Sequence, residues 1–129
     1  MMRLLEIIEN SEKVFTYASM SYEKIQQAEK ELKVSFSEEY KEYLAEYGVA
    51  IFNGHELTGL CDGKRLDVVR ITCKEREISE FVPSDWYVVE NLDIDGIVIW
   101  QNQSGEVFQT SPMRDSTKIA NSIAEYVLL

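Results

Sequence analysis

The chain has 129 residues, with 23 acidic and 13 basic side chains and a formal net charge of −10 at pH 7. Its 45% hydrophobic and 11% aromatic content is enough to bury a core over one domain, residues 1–129, and argues against global disorder. The acid excess argues against nucleic acid and anionic membrane surfaces as partners, since both call for clustered Lys and Arg. A basic protein partner stays open.

The first half carries a helical period. Leu4, Leu5, Ile7 and Ile8, followed by Asn10-Ser11, predict a short N-terminal helix that frays into Val14-Phe15. Ser21 fits the N-cap of a second helix with Ile25, Ala28 and Leu32 on one face. The clearest helix places Phe36, Tyr40, Tyr43, Leu44 and Tyr47 on an inner face and Glu38, Glu39, Lys41 and Glu42 toward water. Ser35 with Glu38 reads as its capping box and Gly48 as its left-handed end.

After Gly48 the period changes. Val49–Phe52, Glu56–Leu60, Leu66–Cys73, Trp86–Glu90, Ile97–Gln101 and Glu106–Gln109 read as strands. Asn53-Gly54, Asp62-Gly63, Asp95-Gly96 and Ser104-Gly105 read as the turns between them. Asn102–Gly105 closes the last two strands into a hairpin. Ser116 then caps a final helix with Ile119, Ile123, Ala124 and Val127 on one face. The expectation is an α+β fold: N-terminal helices, a central antiparallel sheet of five or six strands, and a C-terminal helix packed on the sheet.

Signals for chemistry are thin. Cys61 and Cys73 are the only cysteines. They cannot build a disulfide framework, and their spacing suits neither a metal nor a redox site. With no signal peptide or apolar span of membrane length, a cytoplasmic protein is expected. Asn91-Leu-Asp93-Ile-Asp95-Gly96 echoes a calcium loop, but its twelfth position is Asn102, which cannot supply the bidentate carboxylate. His55 is the sole histidine, and it reads as an exposed or lightly hydrogen-bonded loop residue. No nucleophile elbow, H-E-x-x-H motif or phosphate-cradling loop accompanies it. The expectation is no catalytic residue, no metal and no cofactor.

The charge is unevenly placed. Residues 1–76 carry 14 acids and 11 bases. Residues 77–113 carry seven acids and no Lys or Arg. A solvated sheet face ordinarily mixes signs, which relieves repulsion and protects strand edges. A run of acids with no counter-charge in sequence therefore points to a basic ligand, steered by the field.

Several segments together resemble the SUKH superfamily, named partly for the yeast Smi/Knr cell-wall regulators. Ile25-Gln-Gln-Ala28-Glu29-Lys-Glu-Leu32 with Phe36-Ser37-Glu38-Glu39-Tyr40-Lys41-Glu42-Tyr43-Leu44 is similar to its N-terminal signature. Tyr87-Val-Val-Glu90, Ile97–Trp100 and Gly105-Glu-Val-Phe108 are similar to its central strands. Ile119 through Val127 resembles its closing helix. Ser37 stands where the family usually has Pro, and Ile123 where it often has Phe.

The resemblance implies a non-enzymatic protein-binding module, because bacterial members are known mainly as immunity proteins that neutralise toxin domains, many of them nucleases or deaminases. The partner would be a basic toxin domain, held by stoichiometric occlusion. The charge distribution nominates Glu77, Glu80, Asp85, Glu90, Asp93 and Asp95 as contacts, with Trp86 as an apolar anchor if it is not core. Glu56, Asp62 and Asp67 join them from neighbouring strands and turns. A regulatory or scaffolding adaptor with an endogenous partner is the alternative, and a small hydrolase built on His55 and a nearby acid is a third.

Overall fold

Short polar caps and apolar stripes set the helices of the first half. The computed structural model describes residues 2–79 and 81–129. In chain order its elements are α1 (Leu4–Glu9), β1 (Val14–Thr16), α2 (Tyr22–Leu32), α3 (Glu38–Tyr47), β2 (Ala50–Phe52), β3 (His55–Leu57), α4 (Val68–Ile78), β4 (Tyr87–Asn91), β5 (Val98–Gln101), β6 (Val107–Thr110), β7 (Thr117–Ala120) and α5 (Ile123–Val127). The fold is α+β, as expected. Ser21 caps α2 by accepting from the Lys24 amide at 3.3 Å. The cap of α3 is Ser37, not Ser35: its hydroxyl accepts from the Tyr40 amide at 3.0 Å, and the residue is buried.

Two predicted elements change type. Leu66–Cys73 was expected as a strand, but α4 begins at Val68. The Asp67 carboxylate accepts from the Arg70 amide at 3.1 Å and caps it. Buried Val68, Thr72 and Glu75 fall at i, i+4 and i+7, so packing overrides the β-branched composition. At the other end, residues 117–120 form β7 on the edge of a sheet, with Gln109 opposite Thr117 and Val107 opposite Ala120. The final helix therefore starts after Ser122, whose hydroxyl accepts from the Glu125 amide at 3.0 Å. Val14-Phe15, read as a fraying helix end, instead belong to β1, which pairs with β2.

The expected single sheet is two, ordered β1-β2-β3 and β4-β5-β6-β7, all antiparallel. The β2–β3 turn at Asn53-Gly54 has φ of 48° and 80°, the positive pair that a tight hairpin demands. The sheets meet where the Thr58 amide donates to the Val89 carbonyl at 2.9 Å. Two residues earlier, the Glu56 amide donates to the Glu90 carboxylate at 2.7 Å instead of to a strand carbonyl. A register shift between Val88 and Glu90 in β4 accompanies this. A side chain thus occupies the ladder position, and the two sheets stay separate.

Alternate residues of β4 serve two apolar clusters, as strand pleating dictates. Tyr87 and Val89 join the main core with Leu4, Ile8, Leu32, Leu44, Phe52 and Leu57. Trp86 and Val88 join Val98 and Trp100 on the opposite face, against Ile71, Val82 and Phe108.

Helix α3 ties the parts together through tyrosine hydroxyls. Thr58 donates to the Val88 carbonyl at 2.8 Å, so the Tyr40 hydroxyl donates to Thr58 at 2.9 Å. Tyr43 donates to the Thr58 carbonyl at 3.0 Å and accepts from the Ala50 amide at 2.8 Å. Tyr87 accepts from the Ser37 amide at 2.9 Å and donates to Gln101 at 2.7 Å. Tyr43→Phe keeps the ring and strands two buried backbone groups, so it is expected to cost about 1–3 kcal/mol in urea unfolding. A loss below about 0.3 kcal/mol would contradict this network's role.

Candidate functional site

The nominated contact residues divide sharply by burial. Trp86 is buried, its ring stacked on Phe108 with centroids 4.0 Å apart. It is a core residue and not a surface anchor. Asp67 is buried as the cap of α4, with a second bond from the Cys61 amide at 3.4 Å. Glu90 is buried as well. None of these three carboxylates or rings is available on the free surface, because each is consumed by packing or capping. Glu80 lies outside the described residues.

Glu90 belongs to an internal cluster. One carboxylate oxygen meets His55 Nδ1 at 2.9 Å and the Tyr126 hydroxyl at 2.6 Å, while the other accepts from the Glu56 amide. The cluster joins β3, β4 and α5. Burial alone pushes the Glu90 carboxyl up, but hydrogen bonds from His55, Tyr126 and the Glu56 amide outweigh it and hold the group below the usual carboxylate range. The Glu90 hydrogen bond in turn raises His55 above its ordinary value. His55 is therefore a half-buried, hydrogen-bonded residue at the start of β3; of the exposed or lightly hydrogen-bonded loop histidine expected, the hydrogen bond holds and the exposed loop position does not.

Glu77, Asp85, Asp93, Asp95 and Asp62 are exposed. Some of the nominated and neighbouring acids find counter-charges from elsewhere in the chain. Arg65 bridges Glu56 at 2.7 Å and reaches Asp93 at 4.0 Å. Lys118 pairs with Glu106 at 3.0 Å. Arg76 spends its guanidinium on the Leu32, Ser84 and Trp86 carbonyls. The acidic run is thus partly neutralised in space. Among the described residues no basic group lies within 4 Å of Glu77, Asp85 or Asp95.

Nor do the acids form one continuous face. Asp93 and Asp95 share the β4–β5 turn, both with positive φ, and Arg65 brings Glu56 beside Asp93. Asp85 precedes β4 and is separated from that turn by the strand's length, about 15 Å. Asp62 borders a different hollow, with Met20, Lys24 and Gln27.

Beside the β4–β5 turn lies a groove of about 910 Å³. The end of α4 and the following loop form one wall with Ile78, Phe81 and Val82. Thr110 to Ser116 form the other, and Val98 lies between them. Phe81 is 96% exposed and Ile78 65%, an unusual pairing of large apolar side chains on one rim. Glu75 and Asn91 also line the groove. Glu75 is only 7% exposed. Burial raises its carboxyl above the usual range, and Asp93 adds to that against the opposing charge of Lys74.

The residues that build this groove were not visible in the linear reading. Taking 66–73 as a strand hid the helical register that puts Glu75 in line with Val68 and Thr72. A signal was present in Asp67, a good cap residue three positions before Arg70. The exposure of Phe81 and Met113 had no signal in the pattern.

A family model, SUKH_5, described as SMI1-KNR4 cell-wall, matches residues 1–128. No curated protein matches the chain. No helix among the described residues is long and apolar enough to cross a membrane, and no group of three His, Cys, Asp or Glu side chains there is arranged to hold a metal ion.

The His55–Glu90 pair gives a signed pH dependence. Because His55 is raised above 6.5 in the fold, its contribution is complete below pH 6.5 and is lost as pH rises through the folded value. Because Glu90 is lowered below 4.5, its contribution is present above pH 4.5 and is lost as pH falls through the folded value. The pair is therefore worth most between about pH 4.5 and 6.5. Denaturant midpoints from pH 5 to 9 are expected to fall more steeply for the wild-type chain than for His55→Gln. Parallel curves would overturn the pairing.

Proposed function

The chain belongs to the SUKH_5 family, and from that premise we propose that it is an immunity protein, acting in the cytoplasm by stoichiometric occlusion of a basic toxin domain, a nuclease or another nucleic-acid-targeting enzyme. The observation that carries the reading is the family match over residues 1–128. Charge supports it. The chain holds a net −10, and Asp95, Glu77 and Asp85 are exposed without ion pairs among the described residues. Such acids repel one another when the protein is free and attract a basic surface on approach.

The contact residues follow from exposure. Asp93 and Asp95 form the centre, with Glu56 beside them, and Glu77 lies on the last turn of α4. Asp85 and Asp62 lie on other sides and would contribute to long-range steering, not to the same contact patch. The chain would act without catalysis: covering the toxin's active-site surface is enough. The His55–Glu90–Tyr126 cluster is placed for structure, since its carboxylate is saturated by three donors.

Co-expression with the toxin domain encoded beside this gene is expected to protect the host, and the two proteins are expected to co-purify at one to one. Converting both Asp93 and Asp95 to Lys is expected to slow association about tenfold at low salt and to flatten its dependence on ionic strength. Association indifferent to salt in the wild-type chain would contradict the electrostatic reading, and absence of both protection and complex would contradict the function itself.

A further inference from the structure

The groove between α4 and the Ser111–Ser116 loop combines two features that rarely coexist on a surface without a ligand. Its rim exposes Ile78, Phe81 and Met113, the last fully solvated. Its interior holds Glu75, 7% exposed as a residue, whose one side-chain hydrogen bond among the described residues is a long one of 3.4 Å from the Asn91 amide to Oε1, leaving Oε2 to face the groove. No basic group among them lies within 4 Å of it. A carboxylate largely withdrawn from water, with no ion pair and only the more distant charge of Lys74 to offset it, is costly, and nothing in its helix requires it: Val68 and Thr72 on the same face are held by packing and by the Val88 amide.

We propose that this groove receives an arginine side chain of the protein partner, flanked by apolar residues. The guanidinium would take the Glu75 carboxylate, and the neighbouring apolar groups would cover Phe81, Ile78 and Val82. The choice of occupant follows from complementarity. A free anion is opposed by Glu75 and by Asp93 and Asp95 on the adjoining turn. A purely apolar ligand would leave the carboxylate buried and unpaired. A planar, weakly hydrated guanidinium fits an apolar slot ending in a carboxylate better than a strongly hydrated ammonium. On the opposite wall Arg114 and Asp115 are adjacent and of opposite sign, so that wall adds little net charge. The groove continues the second apolar cluster, sharing Val82 and Val98 with it, so its floor rests on packed core.

This assignment rests on the immunity reading and names the anchor point within it. The test is the affinity of the full chain for the toxin domain encoded beside its gene, measured for four variants. Glu75→Gln preserves shape and is expected to weaken binding about 10- to 100-fold. Phe81→Ala and Met113→Ala alter fully solvated side chains, cannot unfold the chain by opening its core, and are expected to weaken it several-fold each. Phe15→Ala removes another exposed aromatic, on β1 and away from the groove, and is expected to change nothing. A wild-type complex whose affinity survives Glu75→Gln and Phe81→Ala overturns the groove and leaves the immunity reading standing. Absence of any wild-type complex overturns both. A chain that dimerises alone, and that Phe81→Ala returns to monomer, assigns the groove to a second copy and likewise overturns the proposal.

Discussion

The structure depends on the buried polar edge of α3. A helix that packs against two sheets and against both α1 and α2 must satisfy the backbone groups left over at each junction, and here side chains of one helix do so. Tyr40 and Tyr43 reach Thr58 and Ala50 at the junction of the sheets. Ser37 opens the helix and also binds Gln101 in β5. Glu39 accepts from the Ile123 and Ala124 amides at 2.7 and 3.0 Å, capping α5 from another element. The tyrosine and Ser37 bonds lie where water is excluded, so each is costly to leave unmade. The tyrosine stripe that looks like plain hydrophobic patterning is therefore also the hydrogen-bonding frame of the core.

From that frame the placement of β4 follows, and with it the surface features. The Glu90 side chain takes the Glu56 amide, which ends sheet pairing between β3 and β4, and the strand shifts register as it passes. Trp86 and Val88 are left on the face covered by α4, and the strand runs out into the Asp93–Asp95 turn. The acidic turn and the apolar groove are thus neighbours because both border the same end of the second sheet. Different acids serve the fold and face the solvent: Glu90, Asp67 and Glu39 are spent on internal hydrogen bonds, while Asp93, Asp95 and Glu77 face water.

How much of this was legible in the chain depends on the range of the signal. Local signals transferred well: the Ser21 cap, the α3 stripe, the Asn53-Gly54 turn and the Asn102–Gly105 hairpin all need only a few residues to be specified. Elements decided by tertiary pairing did not. Residues 117–120 have a helix-compatible pattern and become a strand because β6 offers them an edge. Residues 68–73 have β-branched composition and become a helix because one face is buried and Asp67 caps it. The candidate site was legible only as a charge excess. Counting along the chain found the acids, but it could not see Arg65 and Lys118 folding back onto Glu56, Asp93 and Glu106, nor that Glu90 and Asp67 are interior. Resemblance carried the family and the fold class together, since it pools weak segments whose order is informative where each alone is not.

The central claim is that recognition occurs at the end of the second sheet where acidic turn and apolar groove adjoin. Hydrogen–deuterium exchange on the complex with the toxin domain encoded beside the gene tests it most directly. The account predicts slowed exchange in the Leu92–Ile97 turn and the Ser111–Ser116 loop, with α1 and β1 unchanged. Protection confined to α1 and β1, with both groove segments exchanging as in the free chain, would contradict it.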